Sequence, residues 1–167
     1  MPEHLFLHEL IFKKPAGTSR GILLSKPSWI LNFQLPDGQT AQTEFPIIPG
    51  LSPEFLNQGQ YEHDLTVFLE KARPNLENWS KTNFLNNESF QQFIAQWEAF
   101  PSFIFGLEIL IWSIQAKGSS VLWENAFTRG ETQIPINGLV WMSSLTDMRA
   151  QALEKIAAGF RVVKLKI

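Results

Sequence analysis

The chain has 167 residues, enough to bury roughly two-thirds of its unfolded surface around a core. Its net charge of −2 provides no global attraction to nucleic acid or to an anionic membrane. With no cysteine there is no disulfide framework, no thiol nucleophile and no thiolate metal site. The aromatic side chains fall at core spacing without interleaved basic residues, which argues against a nucleic-acid surface. The longest apolar stretch, Phe103 to Ile114, carries Glu108 and is too short to cross a bilayer. Met1-Pro2-Glu3-His4 lacks the basic start and apolar run of a secretion signal, so a cytoplasmic protein is expected. On that ground Asn78-Trp79-Ser80 and Asn87-Glu88-Ser89 are read as chance matches to the glycosylation pattern.

In chain order, the first segments read as β. Leu5 to Lys13 is an apolar and aromatic strand, and Pro15-Ala16-Gly17-Thr18-Ser19-Arg20-Gly21 breaks it as a loop. Ile22 to Ser25 and Ser28 to Leu35 resume strand character around Lys26-Pro27. Pro36-Asp37-Gly38 is a strong turn signal, and Thr40 to Phe45 returns as the next strand of a three-stranded antiparallel meander. Three prolines and a glycine in Pro46-Ile47-Ile48-Pro49-Gly50-Leu51-Ser52-Pro53 forbid regular structure, yet the stretch is apolar and should pack on something.

Helical pattern follows at Asp64 to Ala72, stopped by Pro74, and at Ser89 to Phe100, where Phe90, Phe93, Ile94 and Trp97 recur at helical spacing. Phe103 to Lys117 is apolar nearly all round, so it should be the most buried helix, with Gly118 as its C′ residue. Thr128-Arg129-Gly130-Glu131 marks a junction. Beyond it, Gln133 to Met142 reads as a strand, and Ser144 with Asp147 caps a helix whose apolar face is Met148, Ala152, Leu153, Ile156 and Ala157. Gly159 ends that helix, and Arg161 to Ile167 is a second strand. Strand, helix and strand make a βαβ unit, whose strands are parallel.

The expected fold is therefore an α+β N-terminal capping domain over residues 1–130, a three-stranded meander plus helices. Residues 131–167 then form the first βαβ unit of a (β/α)8 barrel. A full barrel takes about 250 residues, so the chain is expected to be the N-terminal piece of a longer protein, with the rest of the barrel as its missing partner.

Within Val162-Val163-Lys164-Leu165-Lys166-Ile167, strand alternation points Lys164 and Lys166 the same way. Each ammonium makes charging the other more costly, one way to leave a lysine deprotonated near neutral pH and so able to act as a base. Spacing alone is better served by a solvated face on an edge strand, with snorkelling stems.

The element order, the runs Met148-Arg149-Ala150-Gln151-Ala152 and Gly159-Phe160-Arg161-Val162-Val163, and Lys164-Leu165-Lys166 resemble the enolase superfamily, most nearly its muconate-lactonizing subgroup. Residues 15–21, 46–52 and 134–142 are similar to those of the o-succinylbenzoate synthases of menaquinone biosynthesis.

The resemblance implies a lyase that removes a proton α to a carboxylate and dehydrates a small carboxylate substrate. A divalent metal, Mg²⁺, would hold the carboxylate while a lysine takes the proton. Lys166 would be the base, and Lys164 the cation that tunes it and touches substrate. Arg20 in the first cap loop would face a substrate carboxylate, with a structural ion pair as the competing role. Leu51 and Ser52 would line a second specificity loop, and Trp141 would lie at the barrel mouth or pack against the helix layer.

The family's metal ligands and second catalytic lysine follow the second barrel strand, so no metal site is expected in this chain. The Mg²⁺ would belong to the full-length protein, and the 167-residue chain should be inactive alone. Two alternatives stand beside this reading: an N-acylamino-acid racemase or dipeptide epimerase of the same superfamily, and a non-catalytic capping or assembly module. His4, His8 and His63 have no metal-ligand spacing. Glu108 reads as a structural carboxylate.

Overall fold

A computed structural model describes residues 3–18 and 21–166. The chain divides into two compact units, one of Met1–Leu10 and Lys26–Leu122, the other of Ile11–Ser25 and Trp123–Ile167.

In the first unit, β1 (Glu3–Thr18), β2 (Gly21–Gln34) and β3 (Thr40–Pro46) form an antiparallel sheet in the order β1-β2-β3, its two long strands running on into the second unit. The register pairs Trp29 with Phe45, Leu31 with Thr43 and Phe33 with Ala41. All six are buried, so strand alternation places one continuous row on the core face. The turn at Pro36-Asp37-Gly38 closes as expected: Gly38 adopts φ 83° and its N–H donates to Leu35 O at 3.0 Å.

Two strand limits differ from the sequence reading. β1 continues through Pro15 to Thr18 where a loop was expected, because an edge strand tolerates a residue without an N–H. β2 runs through Lys26-Pro27 without a break, and its ladder to β3 starts at Ser28↔Pro46, so Pro27 withholds no donor from it.

The helices are α1 (Gln58–Ala72), α2 (Leu76–Ser80), α3 (Glu88–Ala95) and α4 (Pro101–Gln115). α1 begins at Gln58 rather than Asp64, because Asn57 Oδ1 accepts from Gln60 N–H at 3.0 Å and caps it. Pro74 does not open a loop; it sits in a 3-10 turn, Arg73–Asn75, leading into α2. α3 stops at Ala95 instead of Phe100. At the end of α4 the C′ residue is Lys117, with φ 53°, and not Gly118. Lys117 N–H bonds Ile114 O and Gly118 N–H bonds Ser113 O, the paired closure of a Schellman motif. Gly118 is still required, since a Cβ there would collide with Thr40 O.

α4 packs on β3 through Thr43 Oγ1, which donates to Gly106 O at 2.7 Å, and through Ser113 Oγ, which accepts from Gln42 N–H at 3.0 Å. Gly106 leaves room for the Phe45 ring, which a Cβ would overlap. Around this contact Tyr61, Phe68, Trp79, Phe84, Phe90 and Phe103 are fully buried. Trp29 lies 4.5 Å from Tyr61 and Phe68 5.0 Å from Trp97, centroid to centroid, so the core is held largely by aromatic packing.

In the second unit, β4 (Gly138–Val140) and β5 (Val163–Leu165) are parallel, joined by α5 (Leu145–Ala157). Both strands are shorter than expected. Pairing starts at Gly138, and in the expected Gln133–Asn137 stretch Pro135 has no N–H to donate; at the other end Ile167 lies outside the described residues. Ser144 caps α5 as expected, its Oγ accepting from Asp147 N–H at 3.2 Å, and Gly159 takes the C′ position with φ 87°. The helix face differs from the expected one. Met148, Gln151, Ala152 and Lys155 are half-buried, whereas Leu153, Ile156 and Ala157 are exposed. Gly138 is the physical reason, because a Cβ there would lie 3.0 Å from Lys155 Cβ, so the lysine stem packs where a side chain is missing.

Candidate active site

The parallel ladder decides which side chains meet. Gly138 faces Val163, Leu139 faces Lys164 and Val140 faces Leu165. One step beyond β5, Lys166 N–H donates to Val140 O at 3.0 Å, so the ladder and its alternation continue through Lys166. Leu139, Trp141, Lys164 and Lys166 therefore share one face of the two strands. Val140 and Leu165 take the opposite face, and Val140 is fully buried there.

At the C-terminal end of β4 and β5, Lys166 Nζ lies 4.0 Å from the centroid of the Trp141 ring. That separation is a cation–π contact between an ammonium and the negative face of an indole. Lys164 and Lys166 are both exposed, and Trp141 is 41% exposed, so a solute can reach them. The segment that carries Trp141 is fixed on two sides. Gln151 of α5 bonds both its backbone N–H and its backbone O, at 2.9 and 3.3 Å. From β1, Gly17 approaches so closely that a Cβ on it would stand 2.8 Å from Met142 O. The first cap segment and the end of the first barrel strand thus meet at a glycine, as close backbone approach demands.

No family model matches the chain. It is 37% identical, over 174 aligned residues, to an o-succinylbenzoate synthase of Desulfotalea psychrophila, an alignment that covers 95% of the chain. The chain spans about half of that relative's length, 47%. Its fold matches the crystal structure of MenC from the same organism with a TM-score of 0.67 and 29% identity, over 99% of this chain and 48% of that one.

Over nearly its whole length the chain is a homologue of that o-succinylbenzoate synthase.

Further solved structures agree in fold. A dipeptide epimerase of Enterococcus faecalis, in complex with Mg and the dipeptide L-Leu-L-Tyr, matches with a TM-score of 0.65, 14% identity and coverage of 99% of this chain and 44% of its own. The o-succinylbenzoate synthase of Thermosynechococcus elongatus, with Mg in its active site, matches with a TM-score of 0.60, 18% identity and coverage of 100% and 43%. At those identities the likeness shows the fold: a capping domain of antiparallel sheet and helices, followed by the first βαβ unit of the barrel.

The remaining candidates fall elsewhere in the chain. Arg20 lies outside the described residues. Leu51 and Ser52 belong to the first unit, in the irregular segment after β3, where Ser52 Oγ accepts from Ile48 N–H at 2.9 Å and Leu51 N–H donates to Ile48 O at 2.9 Å. The expected packing of this loop is present in Ile47, which is buried. Ser52 is half-buried and Leu51 exposed.

Sequence reasoning passed over Glu54 in the same segment. It is buried, and its Oε1 accepts from Ser102 N–H at 3.0 Å at the start of α4, while Ser102 Oγ and Tyr61 Oη are 2.9 Å apart. Burial pushes the Tyr61 hydroxyl well above its ordinary value, against the Ser102 hydrogen bond and with the help of the Glu54 charge. Glu108 is pushed up by burial, in keeping with a structural carboxylate.

Among the described residues no group of three or more His, Asp or Glu is clustered to hold a metal ion. These residues offer no ligand set for Mg²⁺, so the chemistry below uses only the chain's own side chains. No helix is long and apolar enough to cross a membrane, among the residues described. Two surface cavities avoid the lysines. One of about 650 Å³ lies in the first unit beside Leu35 and Arg73, and one of about 690 Å³ lies at the N-terminal end of β4 and β5 beside Ile136 and Phe160.

Proposed function

We propose that this chain contributes the base of an o-succinylbenzoate synthase, a lyase that dehydrates a succinyl-hydroxycyclohexadiene-carboxylate in menaquinone biosynthesis. The observation that carries the reading is Lys166 at the C-terminal end of the two parallel strands, on the face it shares with Lys164 and beside Trp141, in a chain 37% identical to a synthase of that name. Active sites of barrels form at the C-terminal ends of their strands.

In the proposed reaction the Lys166 amine takes the proton α to the substrate carboxylate, and the electron pair of the broken C–H bond moves toward the carboxylate. Charge develops on the carboxylate oxygens, where the Lys164 ammonium stabilises it. The β-hydroxyl then departs with its bonding pair, takes up the proton that Lys166 had accepted and leaves as water, which returns Lys166 to the neutral amine as the ring becomes aromatic. The net change is the loss of one water. Leu51 and Ser52 are proposed to contribute to the loop that selects the substrate, and Arg20 to meet its second carboxylate. The reading assigns Mg²⁺ and its ligands to protein outside this chain.

The test is a spectroscopic assay of the full-length gene product with Mg²⁺ and the hydroxycyclohexadiene substrate. Lys166→Ala is expected to lower kcat by at least ~10³-fold, as loss of a general base does. The 167-residue chain alone, given Mg²⁺ and substrate, is expected to make no product. Epimerisation of a dipeptide by the gene product without any dehydration would replace this reading with the epimerase one.

A further inference from the structure

We infer that Gln151 is a positioning residue for Lys166, acting through Trp141. The inference rests on the reading of Lys166 as the proton-accepting base, and it concerns how that side chain is held.

The backbone of β4 directs its groups alternately. Gly138 N–H bonds Val162 O at 2.9 Å, and Val140 O accepts from Lys166 N–H at 3.0 Å, so those residues face β5. Leu139 and Trp141 therefore turn their N–H and C=O to the other side. At Trp141 that side is occupied by a side chain. Gln151 Oε1 accepts from Trp141 N–H at 2.9 Å and Gln151 Nε2 donates to Trp141 O at 3.3 Å. A carboxamide carries the same donor and acceptor as a peptide group, so Gln151 pairs with Trp141 as a residue of a neighbouring strand would. Its orientation is unambiguous, because the flipped amide would turn its NH₂ group toward the Trp141 N–H. Gln151 Nε2 also reaches Ser143 Oγ at 3.2 Å, which ties the turn into α5 to the same group.

The consequence runs outward from the backbone. With N–H and C=O both held, Trp141 cannot rotate about its own φ and ψ, so the direction of its Cα–Cβ bond is set. The indole then stands with its face 4.0 Å from Lys166 Nζ. Lys166 is an exposed lysine on a flexible four-carbon stem. Without a fixed ring its ammonium would sample many rotamers. With one, the protonated side chain, the form that follows proton abstraction, has a preferred seat at the end of the two strands, on the face it shares with Lys164. The hydrogen bonds of Gln151 go to Trp141 and Ser143 and to neither lysine, so its effect on Lys166 passes through the ring.

The test is spectroscopic and needs no turnover. Reductive ¹³C-dimethylation of the intact chain labels lysine ammonium groups while keeping their charge, and the Lys166 signal is identified by its loss in Lys166→Arg. Seated over the indole, the Lys166 methyl protons are expected to be displaced upfield by the ring current. Trp141→Leu should remove the displacement. Gln151→Met keeps the length and packing of the side chain but has no amide, and should reduce the displacement at least twofold. Gln151→Glu still accepts from the Trp141 N–H and should retain most of it.

Unchanged Val140 methyl shifts show that the βαβ unit is folded in each variant. Should Gln151→Met disturb the fold, hydrogen exchange at the Trp141 amide of the unmodified chain decides: protection is expected, and exchange at the rate of a free amide overturns the proposal. A full displacement in a folded Gln151→Met, or an equal loss in the Met and Glu variants, also overturns it. Because none of these measurements involves the dehydration, the lyase reading can fail while this one stands, and the reverse.

Discussion

The two units of this chain bury their apolar side chains to very different degrees. Residues 26–122 close an aromatic core in which Trp79, Phe84, Phe90 and Phe103 are fully sequestered. Among the described residues of the second unit, Val140 is the one buried hydrophobic side chain, while Leu145 is 87% exposed and Ile156 60% exposed. The two lysines proposed to carry the reaction lie in the second, shallow unit. The cap has enough apolar area to hold itself together, whereas the βαβ unit keeps its shape through a few directional contacts: a three-pair ladder, a capped helix and the Gln151 clamp.

The contrast makes its largest prediction in the cores. Trp79→Ala removes a fully buried indole whose Nε1 donates to Ser89 Oγ at 2.9 Å, and should cost about 3–5 kcal/mol. Leu153→Ala on α5 removes a side chain that is 57% exposed, and should change stability by no more than about 0.5 kcal/mol. Urea denaturation of the two variants measures both. Equal losses would mean that α5 buries Leu153 in solution, and the distinction between the units would collapse.

A smaller effect is expected where cap sequence and barrel sequence touch. Gly17→Ala places a methyl 2.8 Å from Met142 O, a backbone atom that cannot swing aside. The strain should cost about 1–3 kcal/mol. It should appear as faster amide exchange around residues 17 and 142, with the Trp79 core unaffected. Uniform protection in the variant would show that the hairpin tip does not rest on the barrel strand.

The same contrast explains what could be read from the sequence. The sheet was legible because Trp29, Leu31 and Phe33 fall at every second position of a strand-like run and a turn signal follows. The Lys164/Lys166 face was legible because strand period is two. Features that depend on a distant partner were not. Asn57 gives α1 its start, but the polar, glycine-containing run Gln58-Gly59-Gln60 that follows it carries no apolar helical period. The packing face of α5 was misjudged because Gly138, far from it in sequence, admits the stem of Lys155. That shifts the buried stripe to Met148, Gln151, Ala152 and Lys155. A polar residue inside that stripe was the available signal for Gln151, and only the position of β4 gives it meaning. Glu54 went unnoticed for the same reason, since its partner Ser102 is 48 residues away.

The smallest predicted effect concerns acid and lies wholly in the first unit. Glu44 is partly buried, which raises the cost of its charge, but Ser28 Oγ donates to it at 2.5 Å and Lys26 Nζ at 2.9 Å, and the Lys26 and His8 charges add to them. These outweigh burial and hold the carboxyl below its ordinary value. The unfolded chain then binds more protons than the folded one just below the usual Glu range of about 4.3. The contribution of Glu44 is therefore present above that range and lost as pH falls through the lower, folded value. Its side chain is 42% exposed, so screening limits the contribution to about 0.2–1 kcal/mol.

Glu108 has the opposite sign. Burial alone raises its carboxyl, so the folded chain holds the extra proton, and its contribution is greatest below the ordinary range and lost as pH rises through the raised value. Glu44→Gln should flatten the acid limb of the stability profile. Glu108→Gln should make the chain more stable at neutral pH than the unmodified one, while leaving the acid limb in place. Both shifts should appear in the unfolding of the aromatic core, measured as the urea midpoint between pH 3 and 8, because both carboxylates sit on elements that form it. A gain in neutral stability from Glu44→Gln would mean that burial, and not the Ser28–Lys26 pair, governs that carboxylate.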